Sequence, residues 1–121
     1  MVFLQTTWLF GESLSSAVQN RIAESMELSY YFEKNENVGE LDDASIYLVK
    51  DGAVQRRLCD GPIETFRTGD FFGEEISIFR SAESQEVTIL EPAGLYRVPC
   101  ESFVDIPIIR WKLFEAYGKH V

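Results

Sequence analysis

The chain has 121 residues, 45% of them hydrophobic and 13% aromatic, with a formal net charge of −9. This size and composition fit one globular domain with its own core and argue against disorder. The negative charge opposes binding to nucleic acids and anionic membrane surfaces, because both require clustered lysine and arginine. No apolar run approaches the roughly 20 residues of a membrane helix, and the N-terminus lacks the features of a secretory signal. We therefore expect a cytoplasmic protein.

Cysteine and histidine are too scarce for most metal or nucleophilic chemistry. Cys59 and Cys100 are the only thiols, and they form neither a disulfide scaffold nor a metal-ligand spacing. His120 is the only histidine, which argues against a histidine-based metal site and a Ser-His-Asp triad. We expect reduced thiols, no cofactor, no metal and no enzymatic activity. A small metal-dependent jelly-roll enzyme is the reading that these counts favour least.

The first predicted element is an amphipathic helix at about residues 13–27, with Ser13 as its N-cap. Its apolar residues recur every four positions and so share one face: Leu14, Val18, Ile22 and Met26.

The middle of the chain, at about residues 28–98, predicts six to eight short strands separated by turns. Asp51-Gly52 is a typical hairpin turn pair, so Ala53–Leu58 is predicted to fold back on Ser45–Val49. The other predicted strands are Leu28–Phe32, Ile63–Phe66, Val87–Leu90 and Gly94–Val98, the last two paired around a turn at 91–93. Such a series predicts a mainly β fold, an antiparallel β-roll of the double-stranded β-helix or jelly-roll type.

Helices are predicted again at about residues 101–118. Glu101–Ile106 reads as a short helix, and Pro107 suits the first turn of a second one. We therefore predict a single domain over residues 1–121, in which N- and C-terminal helices flank the roll.

The most informative segment is Gly69-Asp70-Phe71-Phe72-Gly73-Glu74, followed by a run that is compatible with a short helix. Gly73 has no side chain, so a ligand can approach its backbone closely. The N–H groups after it would lie at a helix N-terminus, where anions bind. An ordinary strand-to-helix turn with Gly73 at a tight bend remains the alternative.

This segment resembles the start of the phosphate-binding cassette of the cyclic-nucleotide-binding domain family. The order of elements from about Trp8 to Tyr117 is similar to that family as well. The resemblance implies a ligand site made by Phe72, Gly73, Glu74, Glu75, Ile76, Ser77, Ser84 and Gln85. In it, Glu74 matches the carboxylate that binds the ribose hydroxyl, while the backbone of Gly73, Glu75 and Ile76 lies against the sugar-phosphate.

Gln85 departs from the family pattern, because it stands where the family usually places an arginine that pairs with the cyclic phosphate. A neutral amide cannot neutralise phosphate, and losing a charge-assisted bond of about 1.5–3 kcal/mol weakens binding at least about tenfold. Four glutamates make the neighbourhood acidic as well: Glu74, Glu75, Glu83 and Glu86. Arg80, in the preceding loop, is a candidate substitute for the missing arginine.

Two functions follow from this resemblance. The chain is either a regulatory sensor of a small ligand such as cAMP or cGMP, or a degenerate roll that makes protein–protein contacts. Trp111 and Phe114 on the last helix are the candidate contact residues of the second reading. A homodimer or an effector protein could use that helix, and with no helix-turn-helix after it the output is expected in a partner or a larger protein.

The charge yields a first prediction. With a net charge of −9 and no basic stripe, the chain should show no DNA or RNA affinity at physiological salt. An electrophoretic mobility-shift assay tests this, and clear retardation at micromolar protein would contradict it.

Overall fold

In the computed structural model, the described residues are 4, 6–11, 14–38, 45–58, 63–73 and 85–120. The helices are α1 (Ser16–Ser25) and α2 (Pro107–His120), with a 3-10 turn at Cys100–Ser102. The described strands are β1 (Glu27–Tyr31), β2 (Ser45–Leu58), β3 (Ile63–Arg67), β4 (Phe71–Phe72) and β5 (Gln85–Pro99). The predicted antiparallel β-roll between terminal helices is thereby confirmed. No helix of the described part of the chain is long and apolar enough to span a membrane.

The two longest strands, β2 and β5, form the centre of the sheet. Their antiparallel pairing runs from Ser45 opposite Pro99 to Leu58 opposite Gln85. The order across the sheet is β1-β5-β2-β3, and β4 pairs with the first half of β2. Each of the other described strands is therefore held by β2 or by β5.

The predicted hairpin at Asp51-Gly52 is wrong, because this pair lies inside β2. Both halves of β2 pair with β5, and the register shifts between Val49 and Val54. The Asp51 carboxylate accepts a hydrogen bond from the Gly94 N–H at 2.8 Å, so this turn-forming side chain acts across two strands. The predicted turn at 91–93 is wrong for the same reason, since Gln85–Pro99 is one strand.

The helix boundaries also differ from the prediction. Ser15 is the N-cap of α1, and its hydroxyl accepts from the Val18 N–H at 3.3 Å, whereas Ser13 lies outside the described residues. The predicted helix over Glu101–Ile106 is only the 3-10 turn at Cys100–Ser102. The Ile106 carbonyl then accepts from the Arg110 N–H at 3.1 Å, so the chain enters α2 directly. Cys100 is a partly buried free thiol, and Cys59 lies outside the described residues.

The core is divided by the sheet into two apolar clusters. The helix-side cluster joins the sheet to the terminal segments and contains Leu4, Leu9, Phe10, Ile22, Ile46, Leu48, Val98, Phe103, Ile109 and Leu113. The roll-interior cluster contains Val49, Val54, Phe66, Phe72, Val87, Ile89, Ala93 and Leu95. The predicted apolar stripe of α1 joins the first cluster, since Ile22 is a member and Leu14, Val18 and Met26 pack against it.

The irregularity in β2 gives a prediction for stability. Gly52 has φ +78°, and a Cβ there would lie 2.1 Å from the Pro92 carbonyl oxygen. Gly52→Ala therefore forces the two strands apart, and we expect a loss of about 3 kcal/mol or more in the free energy of unfolding.

Gly69→Ala is the matched control. Gly69 also has a positive φ, +92°, but a Cβ there meets no atom within 4 Å. We expect it to lose only the backbone penalty of about 1–2 kcal/mol. Urea denaturation of both variants measures the difference, and equal losses would contradict the close approach at Pro92.

Candidate functional site

The segment before Gly73 is fixed by backbone hydrogen bonds to β2. Val49 donates its N–H to the Asp70 carbonyl, and Gly69 donates to the Val49 carbonyl, both at 2.9 Å. The Asp70 carboxylate closes the turn by accepting from the Arg67 N–H at 2.9 Å. The turn that leads into the candidate site is therefore tied to the longest strand pair of the sheet.

The two phenylalanines of β4 belong to opposite sides of the sheet. Phe72 is fully buried in the roll-interior cluster, where its ring lies 5.5 Å from that of Tyr47 and 5.3 Å from that of Phe66. Phe71 packs against the helix-side cluster, and its ring stacks on Trp8 at 6.3 Å. The two rings therefore anchor β4, the strand that ends just before Gly73, in both clusters.

Gly73 has φ +100°, a conformation that L side chains rarely adopt. A Cβ at this position would lie 3.4 Å from the Tyr47 ring and 3.5 Å from the Ser45 carbonyl oxygen, which are ordinary contacts. The backbone angle, and not a lack of space, therefore selects glycine here. Both readings of this segment, the cassette and the ordinary turn, include a tight bend at Gly73, so the approach of a ligand to this backbone stays a prediction.

The remaining predicted site residues are described only in part. Glu74, Glu75, Ile76, Ser77 and Ser84, together with Arg80, lie outside the described residues. Gln85 is the first residue of β5, and its backbone is paired with Leu58. The pairs that follow are Arg57 with Glu86 and Arg56 with Val87. The roles assigned to all these residues stay predictions.

A buried ion pair in the roll interior is absent from the sequence-based prediction. Arg56 is fully buried, and its Nη2 lies 2.6 Å from Oε1 of Glu64, a side chain that is 23% exposed. The guanidinium carbon lies 5.0 Å from the centre of the Phe66 ring. Strand alternation is the signal that could have found this residue, since Arg56 stands two positions after the buried Val54. The sequence analysis did not use this alternation, because it placed Ala53–Leu58 in a hairpin with Ser45–Val49 and not opposite β5.

Tyr31 is another titratable group that packs against the roll-interior cluster. Burial, and then the nearby Glu36 carboxylate, raises the pKa of Tyr31 above the ordinary value of a phenol. Tyr31 is therefore neutral at physiological pH. Among the described residues, no cluster of histidine, cysteine or acidic side chains could hold a metal ion.

A cavity of about 480 Å³ lies at the edge strand β3 beside the turn that precedes β4. Its described lining is aromatic and acidic: Trp8, Glu64, Thr65, Phe66, Gly69, Asp70, Phe71 and Ala116. A second cavity of about 200 Å³ is lined by Gln55, Arg57, Glu86 and Thr88. Gly73 is not among the described residues that line these two cavities.

No protein-family profile and no curated protein matches this sequence. Several solved structures are similar to the structure of this chain. The sensor domain of the transcriptional regulator DNR from Pseudomonas aeruginosa matches with a TM-score of 0.76 at 17% identity, over 99% of this chain and 91% of that one. The regulatory domain of Toxoplasma gondii protein kinase A, crystallised with cAMP, matches with a TM-score of 0.79 at 16% identity, over 97% of this chain and 48% of that one.

A third match is the regulatory subunit of a cAMP-independent protein kinase A from Trypanosoma cruzi, bound to guanosine. It has a TM-score of 0.73 at 18% identity, over 97% of this chain and 44% of that one. The chain thus spans about half of each kinase regulatory structure and nearly all of the bacterial sensor domain. At these identities the shared property is the fold. The β-roll, its flanking helices and the turn at Gly73 together give this chain the fold of the cyclic-nucleotide-binding domains.

Proposed function

We propose that this chain is a regulatory binding module that senses a small anionic ligand of the cyclic-nucleotide class. The observation that carries the proposal is the turn at Gly73, where a positive φ and the stacking of Phe72 on Tyr47 fix the bend at the start of the candidate cassette. Two structures of the same fold contain cAMP and guanosine. In this proposal Glu74 holds the sugar, and the amides after Gly73 hold the phosphate.

The contacts of β4 offer a route from the ligand to the terminal helices. Phe72 lies in the roll interior, while its neighbour Phe71 stacks on Trp8. The Trp8 carbonyl accepts a hydrogen bond from the Lys112 ammonium of α2 at 2.5 Å. A shift of the cassette would thus move Phe72 and Phe71, and the contact of Phe71 with Trp8 would transmit the movement to α2. Ligand binding would change the balance between two packings of that helix.

A protein–protein interaction module is the second candidate function. The observation that favours it is the exposure of two large aromatic residues on α2, 56% for Trp111 and 60% for Phe114. Aromatic side chains of this size are enriched at protein interfaces. This function needs no nucleotide, so the two candidates differ in a direct binding measurement. Both are binding functions, in keeping with the scarcity of catalytic residue types in the sequence.

Calorimetric titration of the chain with cAMP and cGMP tests the proposal directly. We expect measurable but weak binding of at least one of them, because Gln85 stands in place of a charged donor. Saturable heat from neither nucleotide, with folded protein, would favour the interaction module.

Gln85→Arg should strengthen cyclic-nucleotide binding by about 1.5–3 kcal/mol, because a guanidinium offers charged donors where the wild type offers a neutral amide. Glu86 and Glu75 would reduce the gain if they held the new side chain in a salt bridge. The same titration measures the change.

Glu74→Ala in the Gln85→Arg background is the control, and it should remove the gained affinity by deleting the sugar contact. If Gln85→Arg remains folded and binds no better than wild type, the cassette is not a nucleotide site. The interaction module would then be the better account.

A further inference from the structure

We propose that the open edge of β1 docks an extended, lysine- or arginine-rich segment of a partner protein, which would join the sheet as a further strand. This surface is distinct from the candidate cassette and from the exposed aromatic residues of α2. The inference therefore goes beyond the proposed function, and its experiment uses no nucleotide.

The first argument is the backbone of β1. This strand is at one end of the strand order, so among the described strands it pairs only with β5, along one of its two edges. Its residues are exposed from Glu27 to Tyr30, and Tyr31 is half-buried. Alternate N–H and C=O groups of an edge strand point away from the sheet and can pair with another chain. Because β1 has five residues, the edge suits a segment of similar length.

The second argument is the row of apolar side chains along this edge. Leu28, Tyr30 and Phe32, named here the outer stripe, are 38%, 49% and 73% exposed. The rings of Tyr30 and Phe32 stack at 6.1 Å, which places both on one face. Edge strands are commonly protected by charged side chains, proline or bulges, and the outer stripe contains no such residue. It offers instead the alternating apolar contacts that an added strand uses for specificity.

The third argument is that these rings suit a cation. The Lys50 ammonium donates a hydrogen bond to the Tyr30 hydroxyl at 2.8 Å and lies 5.3 Å from the centre of the Tyr30 ring. An aromatic ring of the outer stripe thus already contacts a cation of its own chain. The Phe32 ring is more exposed, so an ammonium or guanidinium group of a partner can approach it in the same way.

The fourth argument is the charge around the edge. Glu27 at the start of β1 and Glu33 just after its end are both exposed. Glu27 pairs with Arg97 at 2.9 Å, yet its side chain stays 68% exposed. Together with the net charge of −9, these carboxylates favour a basic segment. A second copy of this chain carries the same charge and is opposed by it.

The experiment titrates wild type, Phe32→Thr and Ile63→Thr with a capped peptide of about seven residues in which lysine and valine alternate. Ile63 is the matched control, because it is 51% exposed and lies on β3, the edge strand at the other end of the sheet. Threonine keeps the preference for strands at both positions. A second peptide of the same charge has proline at its centre and so cannot pair as a strand. Backbone amide hydrogen exchange, measured by NMR, identifies the strand that the peptide joins.

We expect the lysine–valine peptide to bind wild type and to slow exchange at the outward amides of β1. At about ten times the dissociation constant, these amides should exchange about tenfold more slowly, because only the peptide-free fraction exchanges. Phe32→Thr should weaken binding about fivefold, since it removes apolar contact area and a ring that a lysine can approach. Ile63→Thr should stay within about twofold of wild type, because β3 is distant from the peptide.

The inference would be overturned by an absence of binding at millimolar peptide, by unchanged exchange of the β1 amides in the bound protein, or by equal losses of affinity in Phe32→Thr and Ile63→Thr. Equal binding of the proline peptide would show a purely electrostatic contact and would contradict strand addition as well. None of these results bears on the cassette, so the proposed function would stand in each case.

Discussion

The antiparallel pairing of β2 with β5 is the constraint on which the rest of this structure depends. These strands hold β1, β3 and β4 along their edges, and they separate the helix-side cluster from the roll-interior cluster. The register shift near Gly52 changes which residues face inward. Tyr47 and Val49 face the interior before it, and Val54 and Arg56 face it afterwards. One irregularity in one strand thus places a guanidinium inside the roll.

The same ladder positions the candidate site. β4 has only two residues, yet it touches both clusters and ends at the positive φ of Gly73. The turn before it is bonded to Val49, so the start of the cassette cannot shift without disturbing β2. On the other side, Phe71 joins it to Trp8 and through Lys112 to α2. A binding event at Gly73 would be coupled to the terminal helices by packing, with no hinge required.

Much of this could be predicted from the sequence because it depends on local signals. The four-residue apolar period found α1, and the glycine and aromatic pattern of residues 69–73 found the tight turn. What failed depends on partners distant in the chain. Asp51-Gly52 has the composition of a hairpin turn. In the structure this pair lies at the irregularity within β2, where the Asp51 carboxylate accepts a hydrogen bond from the Gly94 N–H. The sequence analysis missed the ion pair of Arg56, because the register shift in β2 determines that Arg56 faces the roll interior.

The pairing of β2 with β5 also bears on the order in which the chain folds. Leu58 and Gln85, at one end of the ladder, are about half as far apart in sequence as Ser45 and Pro99 at the other end. Each doubling of a closed loop costs about 0.6 kcal/mol, so the ladder closes most easily at Leu58 and Gln85. We expect the strands to zip from there towards the chain ends. The sequence that carries the candidate cassette lies within the loop that closes first, so it would be enclosed before the terminal helices have a surface on which to pack.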